Sequence, residues 1–374
     1  MDKTGTYARR LWLWVYALAA AALGLVCFFA LREPPRPEVQ TVAVSRTAAI
    51  PAMETQTAAE PGKTRREGVY TLLLAGLDDG NGNTDTIMLA RLDSNARRLD
   101  VVSIPRDTMV NTRWNVRKLN AAYTVGVLNG EDGGESLRRH VAKLSGIEAD
   151  YCAIVRLGVF ERAVDLLGGV DFDVPMAMDY EDLEQGLRIH LQPGMQHLSG
   201  AQALGLCRFR SGYPSADLGR IEMQQRFLRE CAAQFIRLGN IPNLPKLVSL
   251  LSENLETDLS AGTIGWFLRQ LLRCPSENIH FTTAPCAADT VRGISYTVLE
   301  LEPWLELVNE SLNPYTQPIT TAELDLIYLQ DGVLGCTGEP RFTIAETPEE
   351  AVPAMAAETV PETPRIVVVE LPGK

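Results

Sequence analysis

Three arginines, Arg208, Arg210 and Arg220, fall within thirteen residues in the segment CRFRSGYPSADLGR. Guanidinium forks stay charged and can bind phosphate oxygens two bonds at a time, so such a cluster is either an anion site or, taken alone, an ordinary solvated face. If the R-x-R stretch is extended, both guanidiniums turn to one side. A fourth arginine, Arg106, follows a strand-like run in SIPRD, where the proline ends pairing. Ligand-binding residues often stand where an α/β strand stops. Two carboxylates, Asp78 and Asp85, border the glycine-rich GLDDGNGNTD. They could hold a hard cation such as Mg2+, which commonly takes one or two carboxylates plus substrate phosphates, or they could be ordinary hairpin-turn residues. Asp79, Asn81, Asn83 and Asp85 alternate as in a calcium loop, but Thr84 replaces the required glycine and Ala90 the closing glutamate, which excludes an EF-hand.

From Asp217 a long amphipathic helix is expected to run to about Leu238. In helical projection Ile221, Phe227, Leu228, Cys231, Phe235 and Leu238 share one side. Asp217, Arg220 and Gln224 lie within about 60° of one another on that same side. Charge on an apolar stripe needs a partner. Either Asp217 caps the helix and pairs with Arg220, or this helix end walls a polar pocket. The seven cysteines contain no C-x-x-C and the four histidines no H-x3-H, which argues against structural zinc. Cys274 and Cys286 flank a short strand and could pair, whereas Cys152, Cys207 and Cys231 sit in apolar runs as free buried thiols. No Ser/His or Cys/His nucleophile constellation stands out, which favours direct attack over a covalent intermediate.

The elements that must position these residues form an α/β pattern. Val69–Ala75, Thr86–Leu92, Leu99–Ile104, Cys152–Val155 and Val170–Val174 read as strands, being apolar and rich in β-branched residues. Helical runs cover Gly134–Leu144 and Gly158–Leu167, the second stopped by Gly168-Gly169. Ser199 reads as the N-cap of a helix through Arg208. Beyond Pro242 the pattern is mainly helical (Leu244–Leu255, Ser260–Arg273, Glu300–Ser311), with one strand at Ile279–Thr283.

Leu11 to Leu31 is 21 residues without a charge, enough to cross a hydrocarbon core of roughly 30 Å as a helix, and Trp12, Trp14 and Tyr16 sit at one end. No A-x-A-like cleavage site follows it, so a signal anchor is expected rather than a cleaved leader. Lys3, Arg9 and Arg10 precede the segment and Arg32, Arg36 and Arg46 follow it, a near tie. The ten-residue head favours a short cytoplasmic end and an exported body. The expected organisation is therefore a cytoplasmic head at 1–10, a transmembrane anchor at 11–31 and a disordered linker at 32–68. An α/β domain at 69–240, a smaller α-rich extension at 241–337 and a disordered tail at 338–374 follow. With 35 Lys and Arg against 47 Asp and Glu the net charge is −12, which argues against a broadly basic nucleic-acid binder.

Taken together, LLLAGLD, TDTIMLARLD, SIPRDTMV, KLNAAY, VDLLGGVDFDVP, LQPGMQHLSGAQAL, R-x-R and DLGRIEMQQ stand in the order seen in the LytR-CpsA-Psr family of cell-wall phosphotransferases, which the chain resembles from about Val69 to Leu238. The resemblance implies an α/β core with a central mixed sheet flanked by helices. It implies an extracytoplasmic enzyme at the cell membrane that takes a glycopolymer from an undecaprenyl-pyrophosphate carrier. The polymer moves with one phosphate onto peptidoglycan, as in teichoic acid or capsule attachment. By position, Asp78 and Asp85 would hold Mg2+, while Arg106, Arg208, Arg210 and Arg220 would grip the pyrophosphate with support from Gln224. Asp107 would orient Arg106, and Asp85 could instead serve as base for the acceptor hydroxyl. A hydrophobic pocket in the core would receive the prenyl chain. The chain departs from the family pattern in two places. Asp79 to Thr84 contains no arginine, and Met223 stands where arginine is usual before the glutamine pair. Those departures motivate an alternative, a non-catalytic polyprenyl-pyrophosphate-binding or regulatory envelope protein.

Overall fold

The computed structural model describes residues 63–77, 82–182, 187–209, 213, 217–237, 243–330 and 333–341. The expected head, anchor and nearly all of the linker and tail lie outside these. In chain order the elements are β1 (Val69–Leu77), β2 (Thr84–Asp93), β3 (Arg98–Ser103), α1 (Ala122–Leu128), α2 (Gly133–Ser145), β4 (Tyr151–Arg156) and α3 (Leu157–Leu166). Next come β5 (Val170–Val174), β6 (Met178–Asp182), β7 (Leu187–Leu191), β8 (Gly194–Leu198), α4 (Gly200–Arg208), α5 (Asp217–Arg237) and α6 (Leu244–Asn254). The last are β9 (Glu256–Thr257), α7 (Ala261–Arg273), β10 (Ile279–Thr283), β11 (Cys286–Val291), β12 (Ile294–Leu299), α8 (Leu301–Leu307), β13 (Ile327–Gln330) and β14 (Val333–Cys336).

The main sheet has six strands in the order β10-β3-β2-β1-β4-β9. β1, β2 and β3 form an antiparallel meander, while β4 runs parallel to β1 and β10 parallel to β3, so the sheet is mixed. Side chains alternate between its faces. Leu73, Ala75 and Leu77 of β1 join Ile87, Leu89, Val102, Leu137 and Val141 in the larger core. On the opposite face Tyr70 and Leu72 pack against Trp266 and Phe267 of α7. The next residues on that face, Leu74 and Gly76, lie across from Met88 and Thr86 and line a cavity.

Local chemistry sets the helix ends. The Asp132 carboxylate accepts from Glu135 N at the start of α2, and Gly146 (φ 68°) closes its end in the left-handed region. Ser199 and Gln202 form a reciprocal capping box at α4, and Ser260 caps α7 by accepting from Thr263 N.

Three expectations need correction. Residues 241–337 are not simply α-rich: β10 completes one edge of the main sheet, and β11-β12-β13-β14 form a second, four-stranded sheet. These strands are short and partly exposed, so their hydrophobic alternation is weak in sequence. The segment also supplies Leu299, Trp304, Val308, Leu312 and Leu326 to the larger core, and Trp304 Nε1 donates to Leu144 O at 2.7 Å. Cys274 and Cys286 are free thiols, as are Cys152, Cys207, Cys231 and Cys336. The helix expected at Glu300–Ser311 is α8 followed by a π-helical turn at Val308–Leu312.

One charged group is buried between strands. Asp100, 2% exposed, accepts from Arg91 Nη2 at 2.9 Å and pairs with Arg98 at 2.8 Å, while Arg91 is itself 6% exposed. Asp100→Ala would leave a buried guanidinium unpaired and is expected to lower unfolding stability by about 3–5 kcal/mol in urea titrations. The double change Arg91→Met with Asp100→Leu removes both charges and is expected to recover most of that loss. Equal destabilisation in both variants would show that packing, not the charge pair, governs this position.

Candidate active site

Asp85 owes its position to an irregularity in the sheet. The β1–β2 register steps from Gly76↔Thr86 to Leu77↔Thr84, leaving Asp85 as the extra residue of a bulge. Bulges re-aim side chains at strand ends. Here the Asp85 Oδ1 accepts from Arg106 Nη1 at 2.7 Å. Arg106 stands where β3 has ended, in a segment stitched down on both sides. Asn120 N donates to Arg106 O at 2.9 Å, and Thr297 N of β12 donates to Asp107 O at 3.0 Å. The Thr108 hydroxyl closes the turn onto Pro105 O at 2.6 Å.

The second arginine at Asp85 comes from α5. Arg220 is 2% exposed, its Nη1 lies 3.9 Å from Asp85 Oδ2, and its Nη2 donates to Asp85 O at 3.3 Å. A buried guanidinium is tolerable because charge and carbonyl partners meet it. Arg220, Gln224 and Leu228 recur every fourth residue, so one stripe of α5 faces the sheet. Gln224 links two elements, donating to Cys207 O at 3.0 Å and accepting from Thr86 Oγ1 at 3.3 Å. Its neighbour Gln225 fixes the helix to the strand ends: Nε2 donates to Ser103 Oγ (2.9 Å), Thr282 O (3.0 Å) and Thr283 Oγ1 (3.0 Å).

Between β1, β2, α3, α4 and α5 lies a cavity of about 280 Å³. Leu74, Met88, Val155, Phe160, Leu204 and Leu228 supply apolar wall, while Asp85, Arg156, Arg208, Arg220 and Gln224 supply polar groups. The arrangement suits a ligand that is anionic at one end and hydrocarbon at the other.

Of the residues singled out in sequence, the structure brings together Asp85, Arg106, Arg208, Arg220 and Gln224. Asp78 and Arg210 lie outside the described residues, as does the side chain of Asp217. Arg208 is the last residue of α4, as the helix read from Ser199 through Arg208 anticipates, so the condition of an extended R-x-R is not met at Arg208. One expectation is revised. Asp107 lies 3.9 Å from Arg106 Nε but 3.2 Å from Lys118 Nζ, and the short bond that orients Arg106 comes from Asp85. Among the described residues Asp85 is a carboxylate partner of Arg220. Sequence reasoning missed Gln225, Thr86, Arg156 and the apolar wall. Only Gln225 carried a signal, as the second half of the glutamine pair.

The Cys207 sulfur also stands at this wall. Loss of water pushes its thiol up to about 12 although Arg220 pulls the other way, so it stays protonated at neutral pH and is no thiolate nucleophile. Among the described residues no group of three or more His, Cys, Asp or Glu could hold a metal ion. A divalent cation here would draw on Asp85 and on substrate oxygens, which is how Mg2+ is commonly held.

Comparison with known proteins identifies relatives of the chain. The chain is 29% identical over 212 residues to the polyisoprenyl-teichoic acid–peptidoglycan teichoic acid transferase TagV of Bacillus subtilis, covering 54% of this chain and 52% of the relative. It is 28% identical over 202 residues to the regulatory protein MsrR of Staphylococcus aureus, covering 53% and 59%. The chain thus spans about half the length of the curated relatives it matches. The crystal structure of B. subtilis TagV superposes with a TM-score of 0.55 at 24% identity, over 65% of this chain and 95% of that one, which establishes the shared fold. The profile of the LytR_cpsA_psr family matches residues 39–311, more than half the chain, and the protein belongs to that family.

Proposed function

We propose that this protein is an extracytoplasmic, membrane-anchored phosphotransferase that moves a glycopolymer phosphate from an undecaprenyl-pyrophosphate carrier to peptidoglycan. The observation that carries the proposal is the meeting of Arg106, Arg208, Arg220 and Asp85 with an apolar-walled cavity. A polyprenyl pyrophosphate has that split character, two linked phosphates on a hydrocarbon chain. The relative TagV is named for transfer of teichoic acid from a polyisoprenyl carrier to peptidoglycan, which supports the same reaction class here. In this reading 1–10 is a cytoplasmic head, 11–31 the anchor, 32–68 a linker, 69–240 the catalytic domain, 241–337 an extension and 338–374 a tail.

In the reaction an acceptor hydroxyl oxygen attacks the phosphorus that bears the glycan. A new P–O bond forms, the P–O–P bridge breaks, and polyprenyl phosphate leaves with the bridging oxygen and its electron pair. Charge therefore builds on the leaving phosphate. Fixed guanidiniums stabilise it without reorganisation, since Arg106 and Arg220 are already held by Asp85 and Arg208 stands on the same cavity wall. Arg210 would add to this grip and Gln224 would brace it. Mg2+, held by Asp85 and Asp78, would supply Lewis acidity at the phosphate oxygens. The acceptor proton passes to Asp85 in the version of the mechanism where that carboxylate serves as base. Asp107, anchored to Lys118, supports the Arg106 loop.

MsrR bears the name of a regulatory protein, which favours a second reading: a protein that binds the pyrophosphate lipid without turning it over. Transfer of glycan phosphate from a polyprenyl-pyrophosphate donor by the purified full chain with Mg2+ separates the two, because tight donor binding without transfer or hydrolysis under any metal supports the second.

In such an assay Arg106→Ala and Arg208→Ala are each expected to lower kcat/KM by roughly 100-fold or more, the scale of losing one transition-state donor. Unchanged turnover in both would remove the assigned site. EDTA is expected to abolish transfer and added Mg2+ to restore it, whereas full activity in chelator would exclude the metal role. Leu228→Trp narrows the apolar end of the cavity. It is expected to raise KM at least tenfold for a long-chain donor while leaving a short-chain donor within about twofold. Equal effects on both would place the prenyl chain elsewhere.

A further inference from the structure

A second cavity, of about 500 Å³, shares no wall residue with the first. It is bounded by the loop after β3, by α1, by α2 and by Arg341. On α2 the residues Ser136, Arg139, His140 and Lys143 line it, spaced so that they form one stripe. The apolar stripe of the same helix, Leu137, Val141 and Leu144, is spent in the main core. The cavity is therefore walled by a polar helix face that the core does not use.

Its charge is unbalanced. Arg113, Arg139, Lys143 and Arg341 line it. Against them stand Glu131, 2.5 Å from Arg139, and Asp325, which serves Lys143 at 3.8 Å and Arg341 at 3.7 Å. Asp325 is further engaged by Asn111 Nδ2 at 2.6 Å. Among the described residues two carboxylates thus answer four cations. Burial and the Arg341 charge hold the Lys143 ammonium below its ordinary range, although Asp325 pulls the other way.

The uncharged groups narrow the ligand class. Thr112 is 4% exposed, and its Oγ1 has no hydrogen-bond partner among the described residues. A buried hydroxyl without a partner is unusual, and a ligand atom can supply what the fold does not. His140 donates from Nδ1 to Ser136 O at 2.7 Å; burial and the neighbouring cations hold it neutral, which leaves Nε2 as an acceptor. The Trp114 indole lies 4.9 Å from that ring and adds a flat apolar surface. A hydroxyl, an acceptor nitrogen, an indole and surplus cations together match a sugar ring bearing an acid group.

We propose that this second cavity binds an acidic sugar, a ring carrying a carboxylate or a phosphate. The inference goes beyond the transfer reaction and does not depend on it, since it is read by binding alone. Calorimetric titration of the full chain in detergent with glucuronate, glucose 6-phosphate, glucose, inorganic phosphate and an acidic peptide tests it. Saturable binding of glucuronate or glucose 6-phosphate is expected, at least tenfold tighter than glucose or inorganic phosphate, and the stronger of the two identifies the acid. Lys143→Gln and Thr112→Val are each expected to weaken that binding at least fivefold. Thr112→Val is also expected to hold or raise the thermal midpoint, because valine removes a hydroxyl that has no partner. The proposal is overturned if neither acidic sugar saturates, or if inorganic phosphate or the peptide binds as tightly. Unchanged affinity in both variants, with Thr112→Val folded, also overturns it.

Discussion

The site depends on a guanidinium held out of water. Arg220 is 2% exposed, and a charge in that position is sustainable only if its partners are fixed before it arrives. Asp85 is the fixed partner, and it meets Arg220 because a bulge in β2 removes it from the regular pleat. The same carboxylate holds Arg106, so one anion sets the spacing of two cations that come from opposite ends of the domain sequence. Gln225 completes the frame by tying α5 to the ends of β3 and β10. Without that tether α5 could rotate, and Arg220 would lose its carboxylate.

This frame explains why one face of the sheet is left incompletely filled. The face bearing Leu73, Ala75 and Leu77 is closed by helices and by the second sheet's apolar residues. The opposite face is filled at its far end by Tyr70, Leu72 and the α7 aromatics. Near the bulge the strands end, α5 is held off by its polar contacts, and the remaining space is walled by leucine, methionine and phenylalanine. Dense packing would be more stable, since empty apolar space forfeits dispersion contacts. The cavity is a standing cost at a place where a polar head and an apolar tail can both be satisfied.

Much of this frame was legible in the residues. Strand Val170–Val174 and the Ser199 cap are where their patterns placed them, because alternation and capping are local signals. The charge on the apolar stripe of α5 offered two readings, an Asp217–Arg220 pair or a polar wall; Arg220 and Gln224 line the cavity, and the Asp217 side chain lies outside the described residues. What the sequence hid was tertiary. The bulge at Asp85 depends on register with β1, and no residue type announces it. Arg208 ends the helix that Ser199 begins, as read from the cap, so strand alternation does not set the direction of its guanidinium. The strands after Cys286 escaped notice because they are short and partly exposed, so alternation faded while the helical runs around them stayed strong.

The two departures from the family pattern bear on charge balance. Met223 is 4% exposed and packs with Phe172 and Phe227 in the smaller core, so its position contributes packing and no cation. In the proposed reaction the pyrophosphate would be met by Arg106, Arg208 and Arg220, with Arg210 and a divalent ion as the further proposed sources of positive charge. A chain of net charge −12 is no obstacle to this. At physiological ionic strength charges separated through solvent by more than about 8 Å are largely screened, whereas buried pairs are screened far less. The field at the cavity is therefore set by the few guanidiniums held there, and the protein's overall acidity is mostly lost to solvent.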